Sequence, residues 1–233
     1  TAQYYFDKST KTASWNPETW WQLGWLYYDK QKFEEAIEVM ERAKQVLPNE
    51  PRVHLLLGIT YNRIQQHEKA IVALERAVEL NPADVNALSS LGLSYDALKK
   101  YSQCDTAYER ALRLDAHNPL VLNNYAYSLA ERGVQLQRAE EMSRRSLEKD
   151  STNSSYLDTY GWILFKLGKF KEAEHYIKKA VNTGDSSAAV LEHLGDVYYR
   201  LNQPDKAKEY WSRALELDIK NSTLKEKVGR GKL

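Results

Sequence analysis

Glycine recurs at Gly24, Gly58, Gly92, Gly161 and Gly195, at intervals of 34, 34, 69 and 34 residues, and this period constrains the chain more than any other feature. Because 69 is 34 plus 35, a unit with one inserted residue falls between Gly92 and Gly161, with Ala126 in the glycine position. Six units then tile residues 17–50, 51–84, 85–118, 119–153, 154–187 and 188–221. A period of this length belongs to a stacked array, in which a unit buries its apolar face only against its neighbours.

Other columns keep the same register. Twelve residues after each glycine stands Ala36, Ala70, Cys104, Ala173 or Ala207, with Ala139 displaced by the insertion. Seven further on come Ala43, Ala77, Ala111, Ser146, Ala180 and Ala214. Small residues at these points let helix axes approach, and large ones such as Trp20, Tyr61, Leu74, Tyr108 and Trp211 fill the space between them. Each unit follows Asn16, Glu50, Asp84, Asn118, Asn153 or Ser187, mostly good N-cap residues, and Pro17, Pro51 and Pro119 then open first turns. Pro48 and Pro82 stop second helices. The expected unit is therefore a helical hairpin.

The residues Trp20, Leu23-Gly24, Tyr27, Ala36, Met40 and Pro48 resemble the signature of the tetratricopeptide repeat (TPR) family. Asn123-Asn124-Tyr125-Ala126-Tyr127 and the run from Tyr156 to Trp162 resemble bacterial multi-repeat proteins. The resemblance implies an all-α fold, a right-handed α-α superhelix of six hairpins. Residues 1–16 are expected to form the second helix of a truncated upstream repeat, with Ala2, Phe6 and Ser9 in the slots of Ala36, Met40 and Ala43. Residues 222–233 are expected to supply a short polar capping helix and tail. The fourth repeat, with Val134 or a neighbour inserted and Ser143 and Ser146 in normally apolar or alanine slots, is expected to be the weakest link or a bend in the groove.

In the family, first helices line a concave groove. Mapped by slot, the candidate partner-binding residues are Trp21, Trp25, Tyr28, Leu55, Ile59 and Asn62 in the first half. In the second half they are Asn123, Asn124, Tyr127, Asp158, Trp162, Glu192, Asp196 and Tyr199. Ser89, Leu93, Asp96, Ala130 and Phe165 share the same slots. An aromatic, apolar end thus precedes an acidic end expected to suit a Lys- or Arg-bearing segment. Two capture modes of the family are disfavoured: a carboxylate clamp would need Lys, Asn and Arg where Trp21, Trp25, Leu55 and Ile59 stand, and only Asn124 survives of an asparagine ladder.

Composition narrows the function. Lys and Arg number 33 against 32 Asp and Glu, so there is no global field to draw in nucleic acid or an anionic membrane. No apolar run is long enough for direct membrane insertion by this fragment. One cysteine excludes an internal disulfide. Five scattered histidines propose no metal site, and the one compact polar group, Glu192, His193 and Asp196, reads as an open polar face rather than as metal ligands or an acid–base pair. Arg138, Arg144, Arg145 and Lys149, interleaved with Glu140, Glu141 and Glu148, read as a solvated face. The expectation is a scaffold or adaptor with a protein or peptide partner, no cofactor, no metal and no catalysis. Two alternatives stand beside it: a self-associating array, and the regulatory region of a larger enzyme.

Overall fold

The computed structural model describes residues 15–183 and 187–233, and among these it contains thirteen α-helices and no strand. They are α1 (Pro17–Asp29), α2 (Phe33–Val46), α3 (Pro51–Arg63), α4 (His67–Leu80), α5 (Val85–Ala97), α6 (Tyr101–Leu114), α7 (Pro119–Arg132), α8 (Leu136–Lys149), α9 (Ser154–Lys166), α10 (Phe170–Asn182), α11 (Ala188–Arg200), α12 (Pro204–Leu217) and α13 (Ser222–Arg230). Odd-numbered helices up to α11 are the first, or A, helices of hairpins, and even-numbered ones the B helices. The chain forms two compact units, residues 1–116 with α1 to α6 and residues 117–233 with α7 to α13. The helix expected upstream of Trp15 lies outside the described residues.

Every hairpin turn is built alike. The A helix closes with paired bonds of Schellman type, for example Lys32 N to Tyr27 O at 2.9 Å and Gln31 N to Tyr28 O at 2.9 Å. This geometry needs one left-handed residue, supplied by Gln31 (φ 57), Gln65 (φ 60), Lys99 (φ 57), Gly168 (φ 79) and Asn202 (φ 56). The fourth turn uses two, Gly133 (φ 66) and Gln135 (φ 49), so the extra residue of that repeat is taken up just before α8. At the other end, Asn16, Asp84, Asn118, Asn153 and Ser187 accept backbone N–H bonds as caps, whereas the Glu50 carboxylate turns to Arg52 Nε at 3.0 Å.

The glycine column has a steric cause. A Cβ on Gly24 would lie 2.6 Å from Met40 Cε, and one on Gly92 would lie 2.8 Å from Tyr108 Cζ. Leu74, Ile177 and Trp211 cover Gly58, Gly161 and Gly195 in the same way. A large B-helix side chain therefore sits directly on the A-helix backbone, and no side chain fits beneath it. In the fourth repeat the volumes are exchanged: Ala126 replaces the glycine and Ser143 replaces the large residue, both fully buried. Ser143 Oγ is buried without a hydrogen-bond partner. Ser143→Ala is accordingly expected to raise stability by about 1 kcal/mol, read from the urea midpoint, because it removes an unsatisfied hydroxyl without adding volume.

Within the first unit α1 packs on α3 and α3 on α5, so successive A helices share a surface. In the second unit α7 packs on α9 and α9 on α11 in the same manner. The second core ends at α13, whose Leu224 is fully buried and whose Val228 packs on the cluster around Trp211. This helix occupies the place of a further A helix. Its Gly229 stands in the glycine slot, yet nothing lies within 4 Å of a Cβ there.

Candidate functional site

In the first unit the A-helix surface begins with a chain of edge-to-face rings. Trp21 meets Trp25 at 5.5 Å, Trp25 meets Tyr28 at 5.0 Å, and Tyr28 meets Phe33 at 5.5 Å. All four are half-buried, and Arg52 stacks on Trp21 while Arg63 stacks on Phe33. Leu55 is buried within the unit, Ile59 is half-buried, and Leu93 is exposed. Asn62 is structurally engaged: its Nδ2 donates to Ser90 O at 3.0 Å and its Oδ1 accepts from Ser94 Oγ at 2.8 Å.

The second unit is organised differently. Asn123, Asp158, Trp162 and Asp196 are buried, so these four expected contact residues sit inside the packing, while Asn124, Tyr127, Glu192 and Tyr199 are half-buried. Trp162 donates its Nε1 to Glu131 at 2.5 Å, and its ring stacks near-parallel with Phe165 at 4.8 Å and with the His193 ring at 3.9 Å. His193 Nδ1 contacts both Asp158 oxygens at 3.0 Å.

One repeat further on the contact recurs. Lys227 in α13 stands 34 residues after His193, and Glu192 stands 34 after Asp158. Lys227 Nζ donates to Glu192 at 2.7 Å and to Asp196 at 2.7 and 2.8 Å, while Trp211 Nε1 donates to Asp196 at 2.8 Å. Glu192 and Asp196, at the end that sequence assigned to a basic partner, therefore already share the chain's own lysine. Glu192, His193 and Asp196 do not converge either, since the histidine turns to one partner and the carboxylates to another. No group of residues able to hold a metal ion occurs among the described residues.

These contacts set the protonation states. Burial alone would push the His193 imidazole down, but the charge and hydrogen bond of Asp158, with Asp196 and Glu131 nearby, outweigh it and leave the group raised above 6.5. Burial pushes the Asp196 carboxyl up, and Lys227 and Trp211 only partly hold it down. A histidine whose folded value exceeds its unfolded one stabilises fully below the unfolded value, and that stabilisation is lost as pH rises through the folded value. Urea stability is thus expected to fall as pH rises above 6.5 through the raised value, and His193→Gln to flatten that slope.

Other sequence signals resolve into local structure. Arg144 pairs with Glu141 and Glu148 on the surface of α8. Asn153 and Asn221, which also match glycosylation acceptors, both cap helices. Sequence reasoning missed Lys227, Glu131 and Arg63. For Lys227 the signal was present, because the 34-residue register aligns it with His193. No helix among the described residues is long and apolar enough to cross a membrane.

Residues 2–189 match the family described as Cilia and flagella-associated protein 70 C-terminal domain, and residues 188–221 match the tetratricopeptide repeat itself. A TPR repeat-containing protein of Pseudomonas aeruginosa, PA4667, is 31% identical over 64 residues, which are 28% of this chain and 11% of that protein's length. Among solved structures, a tetratricopeptide repeat protein from Parabacteroides merdae superposes with a TM-score of 0.76 at 16% identity, over 98% of this chain and 90% of that one. The Cut9–Hcn1 hetero-tetramer of APC/C gives a TM-score of 0.86 at 16% identity, over 98% and 45%. Human IFIT1, in a dimer with m7Gppp-AAAA, gives 0.74 at 20% identity, over 91% and 55%. At these identities the likenesses show the fold, an all-α tetratricopeptide-repeat solenoid.

Proposed function

Since the chain belongs to the family of the Cilia and flagella-associated protein 70 C-terminal domain, a tetratricopeptide-repeat family, we propose that it is a non-catalytic scaffold that receives a protein segment on the A-helix face of its first unit. The observation that carries this reading is the contrast between the two units. The first leaves Trp21 and Trp25 half-buried on its A-helix face, and half-buried Tyr28 and Ile59 with exposed Leu93 line a cavity, whereas the second turns Asp158, Trp162 and Asp196 inward. Half-buried aromatics beside a concavity are the usual anchors of a protein interface.

The test is affinity capture with the purified chain and two variants that leave the core untouched. Leu93→Glu alters the A-helix face, and Val72→Glu alters the B-helix face, where Val72 is 70% exposed. A partner retained by Val72→Glu and lost by Leu93→Glu supports the proposal. Retention by Leu93→Glu with loss in Val72→Glu contradicts it.

A further inference from the structure

Between α1, α3 and α5 of the first unit lies a cavity of about 440 Å³. Tyr28, Ile59 and Leu93 supply its apolar wall, and Asn62, Arg63 and His67 its polar one, and among the described residues no carboxylate lines it. Asn62 is fixed by its bonds to Ser90 and Ser94, and its Oδ1, which can only accept, faces His67 Nδ1 at 3.1 Å. The His67 Nδ1 therefore carries the proton donated to Asn62. Arg63 is exposed, its guanidinium lies over the Phe33 ring at 5.9 Å, and no carboxylate is paired with it among the described residues. The cavity thus combines an apolar seat with an uncommitted donor fork whose planar geometry matches a carboxylate.

We infer that the first unit selects a segment in which an aspartate or glutamate lies beside an apolar side chain, the apolar group entering against Ile59 and Leu93 and the carboxylate meeting Arg63. This reverses the charge expected of the partner from sequence. Of the carboxylates expected to attract a basic segment, Glu192 and Asp196 hold Lys227 and Asp158 contacts His193, while Arg63 lines the open cavity. The inference rests on the groove reading above and adds the partner's chemistry to it.

Fluorescence anisotropy with three pools of short labelled peptides tests it. Each pool fixes one leucine and randomises its neighbours among Asp and Glu, among Asn and Gln, or among Lys and Arg. The wild-type chain should bind the acidic pool about fivefold more tightly than the neutral pool, the scale of one partly exposed ion pair. Arg63→Gln should abolish that preference while leaving the neutral pool unchanged, and Arg63→Glu should transfer it to the basic pool. Equal binding of the acidic and neutral pools, a wild-type preference for the basic pool, or a preference that survives Arg63→Gln overturns the inference and leaves the groove reading standing. Failure of all three pools to bind overturns the groove reading itself.

Discussion

Gly92→Ala is expected to destabilise the first unit by about 3 kcal/mol, a large effect for the addition of one methyl group. The new Cβ would meet Cζ, Cε1 and Cε2 of Tyr108 at 2.8 to 2.9 Å, and Tyr108 is fully buried and cannot swing aside. Tyr108→Ser alone should cost about 4 kcal/mol, because it empties the same space. Together the two changes recreate the Ala126 and Ser143 pairing already present in the fourth repeat, so the double variant should lose about 2 kcal/mol less than the sum of the singles. Gly229 supplies the control from the same slot. With open space above it, Gly229→Ala should be neutral or stabilising by up to about 1 kcal/mol through helix propensity. Strict additivity in the cycle, or a large penalty at Gly229, would remove the steric account of the glycine column.

Lys227→Ala is expected to cost about 3 kcal/mol at neutral pH, since it leaves the Asp196 charge buried without its ammonium. The side chains of Lys227 and Asp196 are 11% and 6% exposed, so water cannot take the lysine's place cheaply. The pH dependence has a definite sign. Asp196 is raised above 3.8 in the folded chain even with Lys227 beside it, and losing the lysine raises it further, so the deficit should shrink as pH falls and vanish once Asp196 is protonated in both folded chains. Asp196→Asn and Glu192→Gln combined with Lys227→Met, which removes all three charges and keeps an acceptor for Trp211 Nε1, should return to within about 1 kcal/mol of the wild type. Urea unfolding at several pH values separates these outcomes, and an unchanged midpoint for Lys227→Ala would mean that α13 contributes little to the second core.

The fold was legible in sequence because each of its determinants is local or repeats at a fixed interval. The glycine slots, the small B-helix residues and the Asn, Asp and Ser caps recur at 34 residues, or 35 across the fourth repeat, and act within one hairpin. Glu50 shows where such reading stops: it occupies a cap position, but nearby Arg52 offers its carboxylate a charged partner. The turn conformation was hidden for a similar reason. Gln31, Gln65, Lys99 and Asn202 adopt positive φ without being glycine, because the paired bonds that close each A helix hold them there.

The candidate site was legible only in part. Slot assignment found the residues of the A-helix face but could not say which side chains were free. Trp162 and Asp158 read as groove residues, and both are consumed by contacts with Glu131 and His193 on neighbouring A helices. Asp196 is likewise consumed by a lysine 31 residues away. Availability of a charge depends on partners from other repeats, which a slot carries no information about. Arg63 closes α3 beside the groove slots, and that it has no carboxylate partner among the described residues is visible only in the folded chain.

Photo-crosslinking of the captured partner tests the central claim most directly. A benzophenone amino acid placed at Leu93 reports the A-helix face of the first unit, and one at Val72 reports its B-helix face. Both positions are exposed, at 45% and 70%. A covalent adduct from Leu93 and none from Val72 is the predicted result. Adducts from Val72 alone would contradict a scaffold that holds its partner on the A-helix face.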